Sequence, residues 1–295
     1  MNSVVPAIGF GIITASILAL AAVGFTLQFG ATNILNLAYG DIMTACAFMA
    51  YVATQAGVNI WIALVFSGLF GALFSAALNR FAYVRFIRRG TQLFGMIILS
   101  IAASIVIQNI LLAVWGASFY SLPVSQGRTF HVATMIFTTT QLVIIAIAAA
   151  SMLCVHVLLK FTRLGRAMRA TATDAALARD CGVSTDRVVD IVWLISGGLC
   201  GLAGAALAMN VTSITATTGS EFLIPIIAAA VLGGVGQPYG AMLGALVIGI
   251  SSEVAAAVIA PSYKEVVAFV ILIIVLLVRP QGIFSEIATQ KEVVM

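Results

Sequence analysis

The chain has 295 residues, 62% of them hydrophobic and 8% charged, with a mean hydropathy of +1.16 and a formal net charge of +4. A soluble domain usually carries about 25% charged residues, so this composition excludes a soluble protein, and it leaves no length for a separate soluble domain. Basic residues at the ends of apolar runs, instead of one interleaved aromatic and basic surface, argue against nucleic-acid binding and act as orientation signals. With roughly 20 apolar residues per span, the expected fold class is all-α, a polytopic transmembrane helical bundle of about eight to nine hydrophobic segments, some broken or re-entrant. Residues 1–295 form one transmembrane domain on this reading, surrounded by membrane lipid.

The first apolar run, Ala7 to Leu27, lacks a basic start and a clear cleavage site. It reads as a retained span and not as a signal peptide. A polar, glycine-containing break follows from Gln28 to Asp41, and a second helix is expected at about Ile42 to Gln55. Asp41 lies where its carboxylate favours a helix start. A third run, about Ile60 to Phe81, stops at the cluster Arg80, Arg85, Arg88 and Arg89. In so short a loop the positive-inside rule assigns that side to the cytoplasm. A fourth span, Gln92 to Val114, carries Gln108 and Asn109, whose amides suit hydrogen bonds to neighbouring helices.

The loop from Gly116 to Thr140 holds Pro123, Gly127, Arg128 and His131, and its alternation over Thr129 to Phe137 permits a short hairpin. The fifth span, Gln141 to Phe161, leads into Lys160 to Asp190, which concentrates six basic and four acidic residues between nearly charge-free stretches. That contrast marks a cytoplasmic loop, 162–187, on the same side as the arginine cluster. Its interior reads as a short capped helix. Thr173 suits the cap, Asp174 the positive helix start, Arg179 the last turn and Gly182 the left-handed closing position. Leu177, Ala178 and Cys181 share one face by spacing.

A sixth span, Val188 to Met209, places Gly197, Gly201 and Ala205 four apart, a face suited to close helix approach. After a polar external stretch, Asn210 to Glu221, the segment Phe222 to Ile250 is interrupted by Gly233, Gly234 and Gln237-Pro238-Tyr239, with Gly236, Gly240 and Gly244 on one helical face. A broken helix at membrane depth serves either a translocation path or a tight packing seam. A last span, Val266 to Val278, ends at Arg279.

No catalytic constellation is present. His131 and His156 lie in separate regions without GxSxG or HExxH around them, and there is no GxxxxGK[ST] loop. No enzyme activity and no cofactor are expected. Cys46, Cys154, Cys181 and Cys200 show no CxxC spacing, so no metal site is expected and small apolar packing accounts for them. Asp41, Glu221 and Glu253 permit a proton-coupled secondary transporter or channel as the alternative class.

Four pieces carry a family resemblance: Asn36-Leu37-Ala38-Tyr39-Gly40-Asp41, the run Arg163 to Ala170 leading into Asp174 and Cys181-Gly182-Val183, Ala230 to Gly236 with Gly240-Ala241, and Arg279-Pro280-Gln281-Gly282-Ile283-Phe284. In this order, across nearly the whole chain, they resemble the membrane permease subunit of bacterial ATP-binding-cassette importers for branched-chain amino acids, the Liv type. Permeases for urea and short-chain amides are similar, and Tyr39 departs from a His found in many relatives. The resemblance implies a multi-pass subunit of the bacterial inner membrane that pairs with a second homologous permease. It also implies ABC ATPase subunits on the cytoplasmic face and a periplasmic substrate-binding protein that delivers a small amino acid. In this family the cytoplasmic loop carries a coupling helix. The residues implied for ATPase coupling are Arg166, Arg169, Asp174, Leu177, Ala178, Arg179, Cys181 and Gly182. Those expected to line or shape the translocation path are Asn36, Tyr39, Asp41, Gly233 and Gly234.

Overall fold

The computed structural model describes residues 4–122, 129–132, 135–211, 213–278 and 282. Six of the described helices are long and apolar enough to cross a membrane, and the protein is a multi-pass helical membrane protein. They are α1 (Val4–Thr32), α3 (Ile60–Leu78) with its continuation to Ile87, α5 (Leu93–Trp115), α6 (Thr139–Phe161), α9 (Thr185–Asn210) and α11 (Pro238–Val258). Three further apolar helices are shorter: α2 (Tyr39–Gln55), α10 (Thr218–Gly233) and α12 (Lys264–Val278). Among the described residues, α4 (Val84–Ile87), α7 (Arg163–Thr173) and α8 (Ala175–Asp180) are short α-helices, and Pro261–Tyr263 is a 3-10 turn. The hairpin expected from the alternation is present as β1 (Thr129–Val132) and β2 (Met135–Thr138), antiparallel with Thr129 opposite Thr138. Pro123, Gly127, Arg128 and Arg279 to Gln281 lie outside the described residues.

The chain divides into two compact units, and three of the four divisions fall inside α1, α6 and α10. One unit is drawn from Met1–Thr26, Gln126–Ala149 and Ile224–Met295. Within it α10 and α11 meet through glycines. A Cβ on Gly233 would lie 2.0 Å from the Gly240 carbonyl carbon, and one on Gly244 would lie 2.1 Å from the Ala229 oxygen. No side chain fits there, so the backbones touch, as small residues permit between membrane helices. Gly236 is not on that face. It sits in the turn before α11 with φ +89°, a left-handed conformation that favours glycine. Glu253 on α11 accepts from Thr14 of α1 at 2.8 Å and pairs with Lys264 of α12 at 2.6 Å, so its charge is compensated.

The other unit is drawn from Leu27–Ser125 and Ala150–Leu223. Its centre is the packing of α2, α3 and α9. The small-residue face of α9 allows this. A Cβ on Gly197 would be 2.3 Å from the Gly71 oxygen of α3, one on Gly201 2.3 Å from the Ser67 oxygen, and one on Gly204 2.4 Å from the Met43 oxygen of α2. Ser67 Oγ sits at the junction, 2.8 Å from the Cys46 oxygen and 3.0 Å from the Gly201 oxygen. Cys46 and Cys200 pack in this core, whereas Cys154 and Cys181 are exposed, so apolar packing accounts for only two of the four cysteines.

Two sequence expectations are corrected in this unit. Asn109 donates at 2.7 Å to Ile105 of its own helix, with no bridge to a neighbouring helix among the described residues. The third span does not stop at Arg80. Its axis runs on through a π-helical turn, Asn79–Tyr83, and then α4, which turns Tyr83 into the core while Arg80 stays outside. A π-turn inside an α-helix frequently marks a functional position.

Candidate functional site

Two regions of the second unit hold most of the residues singled out from the sequence. The first is the charged loop. Thr162 caps α7, accepting from Gly165 N–H at 3.0 Å, and Gly165 is pressed so closely on the end of α6 that an added Cβ would lie 2.3 Å from the Leu159 oxygen. Gly165, Met168 and Thr171 form the buried face at i, i+3 and i+6, which leaves Arg166 exposed. Arg169 donates from Nη1 to the Leu159 carbonyl and so anchors α7 to α6.

The cap of α8 is Asp174, not Thr173. Asp174 Oδ1 accepts from Ala176 N–H at 2.9 Å and Leu177 N–H at 3.0 Å, while Thr173 Oγ1 donates back to the Arg169 carbonyl in α7. The carboxylate outcompetes the hydroxyl because α7 continues through Thr173, which places Asp174 at the bend between two helices. Its own N–H still donates to the Ala170 carbonyl at 3.1 Å, so one residue ends α7 and begins α8. The far end closes as the sequence indicates. Gly182 has φ +84°, Val183 N–H reaches the Ala178 carbonyl and Gly182 N–H the Arg179 carbonyl, both at 2.9 Å, which is the Schellman pairing. Arg179 donates to Thr185 Oγ1 at 3.0 and 3.2 Å and lies 3.6 Å from Asp186, tying α8 to the start of α9. The common face of Leu177, Ala178 and Cys181 is split: Ala178 is 5% exposed and packs inward, while Leu177 is 61% exposed and Cys181 is also on the surface.

Both basic landmarks meet at this end. Arg80 lies 3.8 Å from Asp190, and Asn79 donates to the same carboxylate at 2.8 Å. A cleft of about 360 Å³ between them is lined by Arg80 and Arg88 on one side and Arg179, Asp186 and Asp190 on the other. The arginine cluster and the charged loop therefore lie at the same end of this unit.

The second region is the break between α1 and α2. Asn33 takes φ +54°, ending α1, and Asn36 holds the following turn by accepting from Ala38 N–H at 3.1 Å through Oδ1. Tyr83 donates its hydroxyl to the same Oδ1 at 2.9 Å. Tyr39 donates its hydroxyl to the Ser196 carbonyl at 3.2 Å, and Ser196 Oγ reaches Gln28 Oε1 at 3.4 Å. Asp41 is buried in the first turn of α2, where its carboxylate accepts from Ser104 of α5 and from Ser220 of α10 at 3.1 Å. Next to it, Gly40 and Gly219 cross in backbone contact, with an added Cβ on Gly219 only 2.0 Å from the Gly40 oxygen. Thr44 Oγ1 completes the crossing by accepting from Gly219 N–H at 2.9 Å.

Asn36, Tyr39 and Asp41 thus gather in this break, joined by Gln28, Tyr83, Ser104, Trp193, Ser196 and Ser220. Sequence reasoning passed over those six. Their signal was a polar or indole group inside or beside an apolar run, which is weak when each is taken singly. Gly233 and Gly234 belong to the other unit, Gly233 in the α10–α11 seam and Gly234 in the turn that follows with φ +99°.

A family model described as branched-chain amino acid transport system / permease component matches residues 7–276. The permease protein LivH of the high-affinity branched-chain amino acid transport system of Escherichia coli (strain K12) is 31% identical, covering 95% of each chain. BraD of Pseudomonas aeruginosa, with the same description, is 29% identical over 95% of each. The probable branched-chain amino acid transport permease protein LivH of Methanocaldococcus jannaschii is 29% identical over 92% of this chain and 90% of its own. No solved structure gives a significant match.

Proposed function

Because this chain belongs to the branched-chain amino acid transport permease family, we propose that it forms the translocation path for branched-chain amino acids in an ATP-driven importer of the bacterial inner membrane. Hydrolysis is assigned to separate ATPase subunits. The remaining partners are a second homologous permease and a periplasmic substrate-binding protein. The observation that carries the energised reading is α8, a short helix capped at both ends yet exposed over most of its surface. Six residues do not hold helical structure for their own sake, since isolated short helices are marginal in water. A partner surface explains why so much capping is spent on it.

Mechanically, α8 is bound to its neighbours at both ends. Asp174 makes it continuous with α7, and Arg179 ties it to Thr185 and Asp186 at the start of α9. The rest of α9 packs against α2 and α3 and carries Trp193 and Ser196 to the α1–α2 break. A displacement imposed on α8 by closure of the ATPase dimer is therefore delivered to the break through one stiff helix. The direction of the response is set by contacts that differ between the two end states. Leu177, Arg166, Cys181 and Arg179 are the side chains on α7 and α8 that offer the ATPase a surface, with Arg169, Ala178 and Gly182 shaping the element from within.

The test is the double variant Asp174→Ala/Arg179→Ala in the complete transporter. Leucine uptake is expected to fall at least about tenfold, the scale of one or two lost charge-assisted contacts, with the chain inserted and the basal ATPase rate retained. Normal uptake with full substrate stimulation of the ATPase would remove α8 from the coupling role. Recovery of the tagged chain in mild detergent without an ATPase, together with leucine uptake by the chain alone, would favour a secondary transporter.

A further inference from the structure

We infer that the α1–α2 break recognises the carboxylate of the transported amino acid through three uncharged donors, Asn36 Nδ2, Trp193 Nε1 and Gln28 Nε2. This rests on the amino-acid substrate proposed above. The residues form a closed circuit. Trp193 packs on Tyr83 with ring centroids 4.7 Å apart, Tyr83 donates to Asn36, Asn36 accepts from Tyr39 N–H through its carbonyl at 3.3 Å, Tyr39 donates to the Ser196 carbonyl, and Ser196 lies one turn beyond Trp193 on α9. Gln28 joins through Ser196.

Within this circuit the three nitrogens have no hydrogen-bond partner, although Gln28 and Asn36 are 1% exposed and Trp193 is 0% exposed. Two assignments are fixed by chemistry. The Asn36 oxygen is identified because a backbone N–H, that of Ala38, can only donate to it, which leaves the other amide atom a donor; an indole N–H can only donate. Buried donors without acceptors are costly and are rare in native proteins. Two such donors in one circuit of a transport protein, with the Gln28 amide beside them, point to a ligand rich in acceptors.

A carboxylate fits on two further grounds. The donors are neutral, so they can hold an anion without the long residence that a buried arginine would impose on a solute that must leave. The circuit also lies where one helix ends and another begins, an irregular stretch of backbone of the kind that lines solute paths, although the positive end of α2 is already met by Asp41. The circuit adjoins an apolar cluster, Ile34 and Met96 packed with the Tyr83 and Trp193 rings, so a branched aliphatic side chain bound beside it would meet hydrocarbon while its carboxylate meets N–H groups.

The experiment uses the detergent-solubilised permease complex without its binding protein, and follows radiolabelled leucine displaced by unlabelled leucine or by leucinamide, which lacks the carboxylate. Leucine is expected to bind about tenfold or more tightly than leucinamide, the worth of a hydrogen bond to a charged group. Trp193→Phe keeps the ring against Tyr83 and removes only the N–H. It should weaken leucine binding about tenfold while changing leucinamide less than about twofold. Gln28→Glu replaces a donor with a charge that repels the carboxylate and should act in the same sense, so it serves if Trp193→Phe does not insert. Equal displacement by leucinamide in the unaltered protein overturns the inference, as do parallel losses for both ligands in the variants, which a purely structural role would give. Absence of saturable leucine binding in an assembly that imports leucine overturns it as well. An unaltered assembly that imports no leucine instead rejects the amino-acid reading on which the inference rests.

Discussion

The charged elbow around α8 and the break between α1 and α2 are both interruptions of long helices, but they are stabilised in opposite ways. At α8 the caps are supplied locally, by Asp174 at one end and the Gly182 turn at the other, within a stretch of ten residues from Asp174 to Val183. At the break the stabilising groups come from far along the chain. Tyr83 reaches Asn36, Ser196 reaches Gln28, and Ser220 reaches Asp41. A self-sufficient element can be pushed as a rigid body by a partner. A distributed one must respond whenever any contributing helix moves, which suits the translocation path proposed for it. On the proposed coupling, α9 links the two, since it starts beside α8 and carries Ser196 to the break.

The largest effect that would break this contrast is expected at the break. Gly219→Val places a side chain where even a Cβ lies 2.0 Å from the Gly40 oxygen, against backbone that cannot rotate away. Overpacking against a movable core costs about 1–3 kcal/mol, and a backbone crossing relieves less. Loss of the monodisperse folded chain in detergent, read by size-exclusion chromatography, is the expected result. Asn36→Leu should come next. It leaves the Tyr83 hydroxyl and the Ala38 N–H, both buried, without their acceptor, at about 1–3 kcal/mol each. A thermal unfolding midpoint within experimental error of the unaltered chain would show that the break is not held by this network.

How much of this was legible in the sequence follows the same division. The elbow was readable because its determinants are adjacent: an acid before a short helix, an arginine in its last turn and a glycine after it. The choice of Asp174 over Thr173, and the inward turn of Ala178, depended on α7, a helix the sequence did not mark, and on which face met the protein. The break was located by its polar composition, and Asn36, Tyr39 and Asp41 were singled out, yet their partners were not. Tyr83 is joined to Asn36 across 47 residues of sequence and Ser196 to Tyr39 across 157, with Trp193 and Gln28 joined through them, and no local period reports a contact of that span. Glycine spacing gave the α9 seam correctly because Gly197 and Gly201 lie on one helix. It misplaced Gly236, because the helix began only at Pro238 and a turn has no face.

The elbow should yield smaller effects that stay local. Asp174→Ala removes the acceptor for two backbone N–H groups, a loss of about 0.5–2 kcal/mol for an N-cap. At about 1 kcal/mol the opened population of α8 rises about fivefold. Cleavage by trypsin after Arg179 requires local opening and should accelerate in proportion when reclosing is fast, with the global unfolding midpoint unchanged. A lowered midpoint would mean that the elbow is not self-sufficient.

Gly182 provides the finest measure. An added Cβ there meets nothing within 4 Å, so packing contributes nothing and only φ +84° decides the cost. Gly182→Ala should then cost about 1–2 kcal/mol from the left-handed conformation alone, and Gly182→Asn less, because asparagine visits that region routinely. The order Gly, Asn, Ala in resistance to trypsin isolates backbone strain from contact. If Asn and Ala open α8 equally, the turn is held by something other than its own conformation, and the claim that α8 is capped from within its own ten residues fails at its C-terminal end.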